Sequence, residues 1–291
     1  METKKLGNTD VSISAIALGG MPMSLSSRPD EASAIATIHR ALDLGVTLID
    51  TADSYCKDES DKHHNEKLIH KALNQYKSDI SHVIVATKGG LMRPNGSWTR
   101  NGNPDHLRNT IRESFEALGG KTIDVWQYHS PDPQYEIEAS LAPVKEAVNA
   151  GLIRFVGVSN FSVEQIKQAQ DVVEIVSVQN QYNPWHRQPE LDGVLKYCEQ
   201  EKLTFLPWSP LGGSRRVKSL KDLPEIAQLA EEKAASIYSI VLAWLMAKSP
   251  CVVPIPGASK VSSIEDSVRA VDVKLSEEEV ARIDRVTEDL G

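Results

Sequence analysis

Short apolar runs recur along the chain, each long enough to cross a buried sheet and too short for a helix. They lie at Ser12–Leu18, Thr47–Asp50, His82–Thr87, Ile123–Tyr128, Phe155–Val158, Ile175–Val178, Thr204–Pro207 and Val252–Ile255. Between them, hydrophobic periodicity predicts helices over Glu31–Leu44, Asn65–Tyr76, Pro104–Leu118, Ile137–Ala150, Val163–Val172 and Glu190–Glu201. Asn103-Pro104-Asp105 reads as a helix start, with a capping side chain followed by proline. Gly45, Gly119 and Gly151 stand where three helices need a left-handed residue to stop. The stretch Lys4–Asp10 reads as a hairpin. Ser276–Val286 reads as a final amphipathic helix, with Ser276 and Glu279 in capping-box spacing.

Eight strand runs alternating with helices, without a linker, predict an α/β chain folded as a (β/α)8 TIM barrel. The N-terminal β-hairpin would close its bottom, and residues 1–291 would form a single domain. A doubly wound open sheet competes with this reading. It normally carries Gly-x-Gly-x-x-Gly after its first strand. Gly19-Gly20-Met21 is too short for that motif, so the pattern favours the barrel.

Composition narrows the partners. A net charge of −8 argues against nucleic acid or an anionic membrane, since both need basic surfaces. No apolar run approaches the roughly 18 residues of a membrane span. A small-molecule partner is expected, and a local basic pocket for a phosphorylated ligand stays compatible with the overall charge. The cysteines, Cys56, Cys198 and Cys251, are odd in number and lack metal-ligand spacing, which suggests a reducing, cytoplasmic setting and no metal site. The oligomeric state is left open.

Polar residues close several of the strand runs. Asp50 ends one, with Tyr55 in the loop after it; Lys88 and His129 follow the next two. A barrel gathers strand ends at one mouth, where barrel enzymes place their chemistry. Singly, each has a plain explanation: Asp50 as a loop cap, Tyr55 as packing, Lys88 as a solvated amine, His129 as a backbone hydrogen-bond partner. Four together suggest a proton-donating site. A free phenol titrates near ~10. An adjacent ammonium is expected to lower that value, and a carboxylate to hold the ammonium in place. Tyr55 would then be a tuned general acid for a carbonyl oxygen, with His129 orienting the carbonyl.

Longer segments carry a family resemblance. They are Gly45–Tyr55, the strand ending at Lys88, Gln127–Pro133, Gly151–Phe161, Gln179–Asn183 and Trp208–Gly212. With them the chain resembles the aldo-keto reductases over nearly its whole length. The resemblance implies the barrel, NADPH-dependent carbonyl reduction, and a catalytic tetrad matching Asp50, Tyr55, Lys88 and His129.

The cofactor residues follow from the same resemblance. Ser159, Asn160 and Gln179 match the groups that hold the nicotinamide carboxamide, with Gly20 and Met21 nearby. Trp208 stands where the family usually has a stacking tyrosine, and its indole offers more apolar area. Ser209, Leu211 and Gly212 match the segment crossing the pyrophosphate. Gly257, Ser259, Lys260, Ser263, Asp266 and Ser267 occupy the 2′-phosphate and adenine region. There the chain departs from the pattern: Ser263 replaces arginine or glutamine, Ser267 replaces asparagine, and Asp266 is shorter than the usual glutamate. NADPH is the expected cofactor and NADH the open alternative. Arg215 and Arg216 would add the missing charge or stand as solvated surface residues.

Met21, Met23, Leu91, Trp98 and Trp185 would line an apolar substrate pocket suited to an aromatic or aliphatic carbonyl. The Cys56–Asn65 loop reads as a solvated border to it, and His63-His64 lack metal-ligand spacing. Two narrower functions share the resemblance: a specialised enzyme like the pyridoxal reductases, and a cofactor-binding regulatory subunit like the potassium-channel β-subunits.

Overall fold

In the computed structural model of the chain, residues 1–288 and 290 are described. Strands β1 (Thr3–Lys5) and β2 (Ser12–Ser14) pair as an antiparallel hairpin. The main sheet is parallel throughout, built from β3 (Leu18–Gly19), β4 (Leu48–Asp50), β5 (Ile84–Gly89), β8 (Ile123–Tyr128), β9 (Ile153–Ser159), β10 (Ile175–Gln179) and β11 (Thr204–Phe205) in that spatial order. A second small antiparallel pair, β6 (Leu91–Met92) with β7 (Thr99–Arg100), stands on the loop after β5.

The sheet closes on itself through residues 252–257. Phe205 bridges Val252 and Gly19 bridges Gly257, both in parallel. Val253 donates to the Phe205 carbonyl (2.9 Å), while Ala17 and Gly19 donate to the carbonyls of Pro254 (2.9 Å) and Pro256 (3.0 Å). The expected eighth strand at Val252–Ile255 is therefore a closing stave without a regular ladder. Its two prolines have no N–H to give. The fold is a (β/α)8 barrel, as the pattern predicted.

Two other boundaries differ from expectation. The run Ser12–Leu18 divides into hairpin strand β2 and barrel strand β3, because the Ser14 hydroxyl turns back to the Ile16 carbonyl (2.6 Å). The helix expected over Glu190–Glu201 splits into Gln188–Leu191 and Val194–Gln200, with Gly193 left-handed between them (φ +83°). The caps at Asn103, Ser162 and Ser276 form as side-chain hydrogen bonds to the first helical turn.

Strand periodicity sorts the core. Leu48, Ile84, Ala86, Val125, Val176, Leu206 and Val253 form one buried cluster with Leu6 and Ile13 of the hairpin, filling the barrel interior. Their neighbours Ile49, Val83 and Val85 pack outward against helices. The period of two then carries the inward row on to Asp50, Lys88, Gln127, His129 and Ser159. The hairpin plugs the opposite end, where Gly7 N–H meets Thr204 Oγ1 at 2.7 Å.

Candidate active site

Lys88 is wholly buried, and its ammonium has three partners: Asp50 Oδ2 at 2.7 Å, Thr51 O at 2.8 Å and the Tyr55 hydroxyl oxygen at 2.8 Å. The other Asp50 oxygen accepts from Gln179 Nε2 at 2.8 Å and Gln127 Nε2 at 3.4 Å. Tyr55 also reaches Asp50 Oδ2, at 3.5 Å, a longer contact than its bond from Lys88. The Tyr55 and His129 rings meet edge-on with centroids 5.8 Å apart. The four residues read from the strand ends therefore share one buried site.

Gln127 escaped the sequence reading. It sits beside Lys88 in the β5/β8 register and opposite Gly157 in β9. A Cβ on Gly157 would stand 3.0 Å from Gln127 Cγ, so the glycine makes room for the amide. The available signal was a polar residue inside the apolar run Ile123–Tyr128. Gly20 is likewise fixed by packing: its N–H bonds Asp50 O at 2.8 Å, and a side chain there would collide with Asn65.

The electrostatics run against one expectation. Burial, with Asp50 adding to it, raises the Tyr55 phenol well above its ordinary value. Losing water and facing a carboxylate both oppose a phenolate more than one ammonium favours it. Burial lowers the Lys88 ammonium, with Asp50 opposing that shift. Burial also drives His129 well below the ordinary imidazole value, and Lys88 adds to the effect. The site thus holds a protonated phenol beside a neutral imidazole.

A hydrogen-bonded run leaves this centre along the strand ends. Asn160, left-handed at φ +62°, bonds the His129 carbonyl (3.0 Å) and Ser159 Oγ (3.2 Å), and accepts from Trp208 Nε1 (3.0 Å). Ser159 Oγ donates to the Gln179 carbonyl at 2.7 Å. Ser209 is left-handed and receives Asn183 Nδ2 on its carbonyl at 3.0 Å. Leu211 and Gly212 follow half-buried, with Trp185 packed where a Gly212 side chain would be. Arg215 is exposed, while the Arg216 guanidinium lies 5.9 Å from the Trp185 ring centre.

The far end is looser. Gly257 and Lys260 are exposed; Ser259 and Ser263 are half-buried around the start of the helix Val261–Arg269. Asp266 does not face that end, because its carboxylate accepts from Ser236 Oγ at 2.7 Å. Ser267 is buried.

A cleft of about 700 Å³ opens beside His129, lined by Leu91, Trp98, Thr99, Arg100, Ser130, Asp132, Pro133, Gln134 and Asn160. Leu91 and Trp98 are there as expected, with the Trp98 ring 6.3 Å from that of His129. The lining is more polar than the apolar pocket anticipated. Met21 is half-buried, but Met23 belongs to the core with Ile38 and Leu68. The Cys56–Asn65 loop is solvated in its middle, at Lys57, Glu59 and Ser60, and tied down at its ends. Cys56 is buried, its thiol pushed up to about 12 by burial and Glu59. His63 binds Glu66 at 2.5 Å and Glu113 at 3.2 Å, and His64 meets Ser24 Oγ at 2.8 Å.

Known proteins share this chain's pattern. A sequence model described as the Aldo/keto reductase family matches residues 15–288. An uncharacterized oxidoreductase of Schizosaccharomyces pombe is 38% identical over 257 residues, covering 88% of this chain and 79% of its own. The pyridoxine 4-dehydrogenase of Escherichia coli is 31% identical over 265 residues, 89% of this chain and 88% of its own. Among solved structures, a thermostable aldo-keto reductase in complex with the inhibitor epalrestat superposes with a TM-score of 0.83 at 31% identity, covering 98% of this chain and 100% of that one.

Proposed function

This chain belongs to the aldo/keto reductase family, and we propose that it reduces an aldehyde or ketone with NADPH, taking the proton from Tyr55. Membership makes it an NAD(P)H-dependent oxidoreductase; the cofactor choice and the proton donor are our reading. The observation that carries it is the Lys88 ammonium at 2.8 Å from the Tyr55 oxygen. Lys88 donates to that oxygen, so the phenol proton can turn from its long 3.5 Å contact with Asp50 Oδ2 to a substrate carbonyl. Once the proton is given, the same ammonium stabilises the phenolate. His129, neutral through burial, donates a hydrogen bond to the carbonyl oxygen and fixes its orientation.

The residues also fit a nicotinamide cofactor, which supplies the hydride. Gln179 commits its N–H to Asp50 and Gln127, leaving Oε1 to accept from a carboxamide. Ser159 and Asn160 stand beside it, and the half-buried Trp208 offers a flat face for stacking. Ser259 and Lys260, before a helix N-terminus, suit a 2′-phosphate. These features support NADPH over NADH.

A second reading narrows the substrate to pyridoxal, favoured by the 31% identity to pyridoxine 4-dehydrogenase. Turnover of pyridoxal, methylglyoxal and 4-nitrobenzaldehyde separates the two. The central experiment is a tryptophan-fluorescence titration with NADPH and NADH, paired with NADPH oxidation on those carbonyls. We expect quenching, tighter binding of NADPH, and turnover. Equal affinities would remove the cofactor preference, and no oxidation with any carbonyl would sink the reading.

A further inference from the structure

The rim of the cleft carries a cation that the proton-donating centre does not use. Arg100 lines the cleft, and its guanidinium makes no hydrogen bond or ion pair among the described residues. It is the cross-strand partner of Leu91 in the β6/β7 pair. Directly paired residues project to the same face of a two-stranded ribbon, and Leu91 lines the same cleft. Trp98, next to that strand, packs edge-on to His129 at 6.3 Å. The Arg93 guanidinium lies 4.0 Å from the Trp98 ring centre. Arg93 is buried with its Nε unpartnered among the described residues, and its guanidinium donates to the Lys57 carbonyl at 3.3 Å. Arg93 therefore backs the Trp98 ring beside His129.

The one carboxylate in the lining forms no ion pair with Arg100 among the described residues. Asp132 is 5% exposed, and its two oxygens accept the backbone N–H groups of Gly102 (2.9 Å) and Gln134 (3.0 Å). An acidic chain of net charge −8 thus presents a free guanidinium in the cleft beside its proton donor.

We propose that the cleft selects carbonyl substrates that also bear a carboxylate, with Arg100 as the group that recognises it. Guanidinium is the cation best matched to a planar carboxylate. This inference rests on the reading that the cleft beside His129 takes the carbonyl.

The test compares kcat/KM for 4-carboxybenzaldehyde and 4-formylbenzamide in the unaltered enzyme, Arg100→Ala and Arg100→Lys. The intrinsic reactivities of the two aldehydes cancel in the ratio of ratios. We expect the carboxylate-over-amide ratio to fall about tenfold in Arg100→Ala, as befits a partly exposed charge pair. Arg100→Lys keeps an intermediate ratio. In the unaltered enzyme the preference shrinks between low salt and ~1 M salt, where the Debye length is about 3 Å. A ratio unchanged in Arg100→Ala overturns the proposal while leaving carbonyl reduction intact. Failure of both aldehydes to oxidise NADPH overturns the underlying reading, and this proposal with it.

Discussion

Beneath Tyr55 the barrel mouth is packed: Asp50, Lys88, Gln127 and Gln179 are buried and bonded to one another. At the other end of the same mouth, Lys260 is exposed, Ser259 and Ser263 are half-buried, and Asp266 is turned inward to Ser236. Folding alone orders the first region, because an unpaired charge there is expensive. The second has no such network: among the described residues no side-chain hydrogen bond holds Ser259, Lys260 or Ser263. Geometry is therefore specific at the first region and permissive at the second.

Removing the buried cation should have the largest effect. Lys88→Met leaves the Asp50 carboxylate buried without its 2.7 Å partner. We expect a loss of about 3–5 kcal/mol in denaturant unfolding, and kcat/KM lower by roughly 10²–10⁴-fold. Near-normal stability in that variant would mean the packed region is not held by this pair.

Asp53 sharpens the same contrast through pH. It is wholly buried, with Oδ1 unpartnered among the described residues, and burial raises its carboxyl from 3.8 to about 6 against the pull of Lys62. The folded state therefore holds the proton more tightly than the unfolded chain. Through this group, stability is greatest when the carboxyl is protonated and falls as pH rises from about 4 to about 6. The gap is on the order of 3 kcal/mol at about 1.4 kcal/mol per unit. Asp53→Asn cannot ionise, so its stability relative to the unaltered protein should rise across that window. A difference independent of pH would contradict the burial argument.

Gly157→Ala pushes a methyl group against Gln127 and Ser177, and should cost about 1–3 kcal/mol in unfolding. The smallest effect is expected in the loose region. Lys260→Ala should lower the NADPH-to-NADH affinity ratio about tenfold, or roughly 1.4 kcal/mol, without altering the melting temperature. An unchanged ratio would place 2′-phosphate recognition elsewhere, with Arg215 the next residue to vary.

Much of this was legible in the chain because buried parallel strands are apolar runs and a barrel repeats them. Asp50, Lys88 and His129 stood out as polar residues ending such runs. Gln127 did not, since it lies within its run and its space comes from Gly157 across the strand pair. The β6/β7 pair was invisible for another reason: with two residues per strand it leaves no periodicity. The Tyr55 direction was misjudged because sequence reveals the nearby ammonium but not the loss of water around the phenol. Asp266 was misplaced because its partner, Ser236, is distant in sequence.

Tyr55→Phe removes one oxygen and leaves Lys88, Asp50 and the surrounding amides in place. Its kcat/KM for 4-nitrobenzaldehyde with NADPH, measured beside its NADPH affinity, tests the proton-donor assignment most directly. We expect kcat/KM to fall by roughly 10²–10⁴-fold while the fluorescence titration still reports NADPH binding. Carbonyl reduction at the unaltered rate in Tyr55→Phe would contradict it.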